Sequence, residues 1–384
     1  VIRDRRGRIV ENVDLVRPAE PGRDLVLSID RRVQFLAHRE LRNTLARTGA
    51  AAGSAVVLDV DTGEVVAMVN LPTYNPHVVS GDDRDARRNR AVTDLIEPGS
   101  TIKPLTVAAA LQAGVVSPDT PVDTSPGWMP NGRYRTSDVR NYGLLDVTGV
   151  ITKSSNVGTA KIAAMLPDQT LYEVLRGFGL GQSTRSGFPG EASGLFPDPS
   201  QWSGTSKQTI SYGYGLSDTP LQIAVAYAAI ANGGKLVQPT FVKGQHGETR
   251  QALDPQVAQT VLRMMQTVTE PGGTATRARV LGYHVAGKTG TSRKASGGGY
   301  SRRYVSFFAG IVPVENPRFS MAIVIDDPDP ARGYYGGLVA APMFPNVMEG
   351  ALRLMDVPPD DIESWLAAQA EKDGRRAAST GGAR

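Results

Sequence analysis

The sequence contains no cysteine. That absence removes disulfide bridges, thiolate nucleophiles and thiolate zinc sites together. It assigns no compartment, because a chain without thiols is stable in reducing or oxidising surroundings. Histidine is scarce as well: His38, His77, His246 and His284 are the only four in 384 residues, and they show no ligand spacing. A histidine-built metal site is therefore not expected, and no cofactor is implied. Nothing local suggests a serine–histidine–aspartate hydrolase either, and Gly-x-Ser-x-Gly does not occur. Aromatic residues make up only 6% and no basic run interleaves with them, so nucleic acid is not an expected partner. There is no apolar run long enough to span a bilayer and no signal peptide. The chain opens on Val1 rather than Met, which fits a piece excised from something longer.

What is present is ordinary for a soluble globular protein: 40% hydrophobic residues, 21% charged, net charge +4. The length suits one large domain or two smaller ones. Residues 1–24, with Arg17-Pro18-Ala19-Glu20-Pro21-Gly22, form a charged, turn-rich lead-in. The densest basic stretch, Arg84 to Arg90, contains Asp85 and reads as a solvated loop. Leu25–Ile29 reads as a short strand. Asp30 then caps a helix carrying Val33, Leu36, Ala37, Leu41 and Leu45 on one side and ending near Gly49. Alternating runs at Ala55–Val60 and Glu64–Val69, with Asp61-Thr62-Gly63 between them, predict a hairpin.

A helix opens at Ser100 after Glu97-Pro98-Gly99 and stops at Gly114. Pro104 lacks the amide that would bond back to Ser100, so its first turn is expected to be distorted. Residues 115–150 are rich in Pro, Gly, Asn and Asp and read as a long excursion over the catalytic region. Helices follow at Thr148–Met165, Thr170–Phe178 and, after the Thr219-Pro220 cap, Leu221–Asn232. The end of the chain carries strands at Val285–Thr291, Tyr304–Val312 and Phe319–Asp326, a Gly-rich loop at Ala295–Gly299 and a helix at Ala341–Met355. From about Lys372 the tail has the composition of a disordered segment. Strands near both ends with helices between them predict an α+β fold, an antiparallel sheet flanked by helices plus a helical region.

Three short segments carry chemistry. In Ser100-Thr101-Ile102-Lys103 the spacing puts serine and lysine on one helix face, where they can touch. A serine hydroxyl needs a base, and a lysine serves only when neutral. At an ordinary pKa roughly 0.04% is neutral at pH 7; a pKa of about 7–8 raises that to between about 10% and 50%. Burial, the positive end of the helix and a second cation can each supply the shift, and Lys288 is a candidate for that cation. Ser154-Ser155-Asn156 offers a hydroxyl relay and an amide; alone it reads more readily as a local turn or cap. In Lys288-Thr289-Gly290-Thr291, strand geometry puts Lys288 and Gly290 on one face and the two threonines on the other. A lysine with hydroxyls can hold a carboxylate, while Gly290 admits close approach of substrate. Each segment alone is common by chance.

Together, and in this order, the three segments resemble those of the penicillin-binding proteins and serine β-lactamases. Finer segments are similar to the class B penicillin-binding proteins, most of all the division-specific penicillin-binding protein 3 group. They are Asn89-Arg90-Ala91-Val92-Thr93-Asp94 leading to Glu97-Pro98-Gly99-Ser100, Lys153 to Gly158, Ser211 to Leu216, and Tyr334-Tyr335-Gly336-Gly337.

The resemblance covers nearly the whole chain. It implies a transpeptidase fold for residues 25–356, with residues 1–24 a remnant of a pedestal region and 357–384 a tail. It implies that Ser100 is acylated, that Lys103 is its base, that Ser154 relays protons and that Asn156 positions a peptide amide. Lys288 would keep the site electropositive, Thr289 and Thr291 would bind a terminal carboxylate, and the amides of Ser100 and Thr291 would form an oxyanion hole. Arg293 and an aromatic wall of Tyr300 or Tyr304 with Tyr334 and Tyr335 would complete the substrate side. The implied activity is peptidoglycan D,D-transpeptidation in septal wall synthesis at the periplasmic face of the inner membrane. Stem peptides and β-lactams are the implied ligands, and a division-complex glycosyltransferase is the implied partner of the full-length protein. D,D-carboxypeptidase, serine β-lactamase and non-catalytic sensor remain the alternatives; the Glu-x-x-Leu-Asn element of a hydrolysing β-lactamase does not occur.

Overall fold

The structure is a computed structural model that describes residues 1–14, 20–78, 84–296, 299–367 and 369–370. In chain order it begins with a small ribbon of β1 (Ile2–Arg3) and β2 (Ile9–Glu11). Helix α1 (Arg31–Thr48) starts where Asp30 accepts the amides of Arg32 and Val33, and stops at Gly49, φ +64°. Then come β3 (Ala52–Asp59), β4 (Val65–Leu71), α2 (Arg90–Thr93), a 3-10 turn (Gly99–Ile102) and α3 (Lys103–Gln112). The 115–150 excursion holds β5 (Pro121–Asp123), β6 (Trp128–Asn131), β7 (Tyr134–Ser137) and β8 (Leu144–Asp146). Helices α4 (Val147–Lys153), α5 (Asn156–Ala164), α6 (Asp168–Gly177), α7 (Ser206–Ser211) and α8 (Pro220–Ala231) follow. The chain continues through β9 (Lys235–Val237), β10 (Thr249–Gln251) and α9 (Pro255–Gln266). It closes with β11 (Ala286–Ser296), β12 (Gly299–Val312), β13 (Phe319–Asp326), α10 (Gly336–Val339) and α11 (Met343–Leu354).

The main sheet is antiparallel throughout, in the order β11-β12-β13-β3-β4, so the two ends of the domain build it and β11 is an edge strand. Helices α1 and α11 pack against one another and against the sheet, while α8 packs on β3, β12 and β13. Helix α8 is the hub of the core. Every residue from Pro220 to Ile230 is buried, and a capping box between Thr219 and Gln222 closes its first turn. Its apolar circumference is what a helix surrounded on all sides requires.

Four readings from the sequence need correction. Leu25–Ile29 forms no strand: only Leu27 makes a bridge, to Val242, and Leu25 and Val26 are 67% and 63% exposed. Its β propensity finds no partner strand to pair with. The helix expected over Thr148–Met165 is broken at Ser154, whose φ of +59° ends α4. Arg90 is not part of a solvated loop; it is 6% exposed and ion-paired with Asp85 and Asp94. The helix expected over Ala341–Met355 begins at Met343. Arg17 to Ala19 of the lead-in and the tail from Lys372 lie outside the described residues.

Asp218 ties the strap before Ser100 to the body of the protein through paired backbone hydrogen bonds with Ile96, 3.1 and 3.0 Å. Its side chain is buried: Oδ1 accepts the Gly181 amide at 2.8 Å, while Oδ2 has no partner. Burial pushes this carboxyl up to about 7 from 3.8. The native state therefore holds a proton that the unfolded chain has already lost, and stability falls as pH rises from about 4 to about 7. Asp218→Asn removes that slope. Chemical denaturation at pH 5 and pH 8 should show the wild type losing roughly 1–3 kcal/mol relative to the variant. Parallel pH dependences would refute the assignment.

Candidate active site

The site forms where the 3-10 turn meets the edge strand and the α4–α5 junction. Gly99 has φ +54°, and its amide bonds the Gly213 carbonyl at 3.0 Å. A Cβ on Gly213 would stand 2.0 Å from the Gly99 oxygen, so only glycine permits this contact. Pro104 cannot supply an amide to Ser100, and the Lys103 amide bonds the Ser100 carbonyl instead, giving the tight turn. With three residues per turn, Ser100 and Lys103 lie in line on one face. The turn is pinned from behind: the hydroxyl of the fully buried Tyr227 on α8 donates to the Thr101 carbonyl at 2.8 Å.

Lys103 and Lys288 are both 0% exposed, and the Ser154 hydroxyl lies between them. Lys103 Nζ donates to the Ser154 carbonyl at 2.6 Å and to its Oγ at 3.2 Å. Lys288 Nζ donates to the same Oγ at 2.8 Å and to the Thr289 carbonyl at 3.0 Å. Ser154 reaches this position because its left-handed backbone turns the chain between α4 and α5. Burial lowers Lys103 to about 7, with the Asp138 carboxylate opposing the shift. Lys288 is driven down by burial and then by Lys103. Two buried amines without a carboxylate to pair with cannot both stay charged at neutral pH. Among the described residues no hydrogen bond reaches Ser100 Oγ, so the expected serine–lysine contact is an alignment here, with the amine held by Ser154.

Asp138, which sequence reasoning missed, organises the junction. Its carboxylate accepts from Ser155 Oγ at 2.6 Å and from the amides of Asn156 and Val157 at 2.5 and 3.0 Å, capping α5. Asn156 Nδ2 donates to the Ser137 carbonyl at 2.8 Å, leaving its amide oxygen for a ligand. The signal was available only as an acidic residue ahead of a helix start, 17 residues from the serine it binds.

By the strand period Thr289 and Thr291 lie on the other face of β11 from Lys288 and Gly290. Thr291 Oγ1 accepts the Gly336 amide at 3.0 Å, which leaves its own proton to donate. Thr289 Oγ1 shares a hydrogen bond with Thr274 at 3.0 Å. Gly290 differs from expectation. A Cβ there would lie 3.0 Å from the Pro98 oxygen and 3.1 Å from Thr101 Cγ2. The close approach it permits is that of the protein's own Ser100 turn.

The aromatics divide into two groups. Tyr304 stacks on Tyr334 at 4.0 Å, and Tyr334 on Tyr335 at 4.7 Å. Tyr300 stands apart from them: it meets Tyr214 edge-on at 5.8 Å and donates to Glu97 Oε1 at 3.2 Å. Glu97 also accepts the Gly215 amide at 2.9 Å, and burial raises its carboxyl. Arg293 is exposed on β11, opposite Tyr304 in register.

Residues 53–349 match the family described as the penicillin binding protein transpeptidase domain. The chain is 42% identical over 383 residues to the peptidoglycan D,D-transpeptidase FtsI of Escherichia coli K12, covering 98% of this chain and 64% of that protein. It is 42% identical over 363 residues to the probable peptidoglycan D,D-transpeptidase PenA of Neisseria flavescens, covering 94% and 90%. Among solved structures, the apo transpeptidase domain of Burkholderia pseudomallei penicillin-binding protein 3 superposes with a TM-score of 0.80 at 38% identity, covering 89% of this chain and 99% of that one. The chain thus spans somewhat less than two thirds of the length of FtsI. A serine on a tight turn, two buried lysines sharing a hydroxyl and an edge strand of threonines, on a scaffold that matches over most of its length, place this chain in the penicillin-binding protein transpeptidase family.

Proposed function

We propose that this chain is the catalytic unit of a peptidoglycan D,D-transpeptidase that works through an acyl-serine intermediate on Ser100. The observation that carries the reading is the Ser154 hydroxyl held between two fully buried amines beside the Ser100 turn. Neutral Lys103 takes the Ser100 proton as Oγ attacks the penultimate D-Ala carbonyl of a stem peptide. Negative charge gathers on the carbonyl oxygen, facing the amides of Ser100 and Thr291. Collapse breaks the C–N bond, and the departing D-Ala nitrogen receives a proton through Ser154. An amine on a neighbouring strand then attacks the ester, with the proton traffic reversed, and regenerates the serine.

The donor peptide runs along the free edge of β11, with Asn156 holding a backbone amide and Thr289 and Thr291 the terminal carboxylate. Tyr304, Tyr334 and Tyr335 offer an apolar wall, with Arg293 at its rim. Residues 25–356 constitute the transpeptidase unit. Among the described residues no helix is long and apolar enough to cross a membrane. The full-length protein acts at the periplasmic face of the inner membrane during septation, beside a division-complex glycosyltransferase, a reading supported by the similarity to FtsI.

The test is intact-mass analysis during incubation with a β-lactam, with antibiotic consumption followed in parallel. A stoichiometric, long-lived adduct, absent in Ser100→Ala, is expected. The tethered leaving amine of a β-lactam obstructs the acceptor, and the hydrolytic glutamate motif does not occur. Turnover of many equivalents without adduct would identify a β-lactamase instead.

Carboxylate recognition is separately testable. Thr291→Val removes the hydroxyl donor and should cost roughly 1.5–3 kcal/mol in acylation efficiency for substrates bearing the carboxylate. Thr291→Ser should retain it. Equal losses for analogues lacking the carboxylate would show that the threonine acts elsewhere.

A further inference from the structure

The β6–β7 hairpin has two unlike faces. Register pairs Trp128 with Ser137, Met129 with Thr136, Pro130 with Arg135 and Asn131 with Tyr134. Directly opposed residues share a face. Thr136 and Asn131 are buried on the inner face, where Thr136 shares a hydrogen bond of 2.9 Å with the Tyr212 hydroxyl. The other face, with Trp128, Pro130, Arg135 and Ser137, is exposed; at its margins the Pro130 and Ser137 carbonyls accept from Gln208 and Asn156. This face begins at the catalytic cleft, because the Ser137 carbonyl accepts from Asn156.

Its chemistry is lopsided. From Trp128 to Tyr142 there are three arginines, Arg133, Arg135 and Arg140, and one acidic residue, Asp138. Asp138 is spent on the α5 cap. Among the described residues none of the three arginines has an ion-pair partner. Instead each guanidinium lies over an aromatic ring: Arg135 over Trp128 at 4.1 Å, Arg133 over Tyr134 at 5.2 Å and Arg140 over Tyr142 at 5.2 Å. Stacking preorganises a planar guanidinium while leaving its fork of donors free for carboxylates. Trp128 on the exposed face is 37% exposed, and Tyr134, beside the turn and opposed to Asn131, is 62% exposed. Their rings are broad amphipathic surfaces suited to the flat faces of sugar rings.

We propose that the exposed face of this hairpin together with its turn end, where Arg133 and Tyr134 lie, is a docking ledge for a peptidoglycan strand, the rings carrying the glycan and the arginines its acidic stem peptides. The inference rests on the transpeptidase reading. The substrate of such an enzyme is a polymer, and the cleft holds only a few residues of it. Whatever enters beside Asn156 continues over the surface next to Asn156, and that surface is this one. Charge complementarity selects the occupant: unpaired guanidiniums meet the free carboxylates of stem peptides.

The experiment uses the full chain and separates the ledge from the catalytic centre. Arg133→Glu/Arg135→Glu and Trp128→Ala are compared with the wild type and with Arg42→Glu, a charge reversal on the exposed face of α1. Acylation by a β-lactam should stay within about twofold in all, which also reports an intact fold. Cosedimentation with purified sacculi should weaken by roughly tenfold or more in the double reversal and several-fold in Trp128→Ala, with Arg42→Glu unaffected. Glycan strands stripped of stem peptides should bind the wild type as weakly as intact strands bind the double reversal. Unchanged sacculus binding in the ledge variants, or an equal loss in Arg42→Glu, would overturn the proposal. Failure of the wild type to acylate at all would overturn the transpeptidase reading instead.

Discussion

Lys103→Met and Lys103→Arg should each acylate with β-lactam roughly 10²–10⁴-fold more slowly than the wild type, the span expected for loss of a positioned base. Methionine matches the lysine stem in length and keeps the buried volume filled without an amine. Arginine keeps a cation but cannot deprotonate in the working range. The two changes therefore fail for one shared reason, and their agreement is the informative result. The pH profile provides the second half of the test. With Lys103 lowered to about 7, acylation by the wild type should rise through that pH and level off above it. A rise centred near 10, or an active Lys103→Arg, would remove Lys103 from the role of base. Lys288 lies beside it and is lowered as well, by burial first and then by Lys103.

Ser154→Gly is the second large effect, and it splits activity from stability. The hydroxyl shared by both amines disappears, so acylation should fall by about 10²-fold or more. The backbone, however, sits at φ +59°, where glycine is more comfortable than serine by roughly 1 kcal/mol. Thermal unfolding should therefore occur at the same temperature as in the wild type or above it. Ser154→Ala loses the hydroxyl without that relief and should be the less stable of the two. A Ser154→Gly protein that acylates normally would show that the bridge is structural.

The residues gathered at the candidate site were legible because each sits in a short run whose local geometry does most of the positioning. The Ser100 turn is an example: Pro104 announces a missing amide, and the observed turn is the backbone's answer to it. Helix limits at Asp30, Gly49 and Thr219-Pro220 were readable for the same reason, as caps act within a few residues. What escaped was set by distant partners. The local signal near Ser154 is a cap, since Ser155 accepts the Gly158 amide at 2.8 Å and starts α5, but nothing local demands a left-handed residue. The break is enforced by Asp138 capping a new helix at Asn156 and by two lysines from elsewhere in the chain. Arg90 likewise looks solvent-facing until Asp85 and Asp94 are seen to enclose it. Gly290 was read as room for substrate, yet the Pro98–Thr101 turn occupies that room.

The phenol of Tyr227 joins the Ser100 turn to the central helix, and this has a bearing on how the protein should fail when heated. Loops and surface turns usually open in small, independent fluctuations well below the global transition. The turn bearing Ser100 is denied that freedom, since releasing the Thr101 carbonyl means exposing a helix buried along its whole length. Amide exchange at Thr101 and Ile102 should thus proceed only through the slowest, whole-molecule opening. Reactivity toward β-lactams should then persist almost to the melting temperature and vanish with the fold.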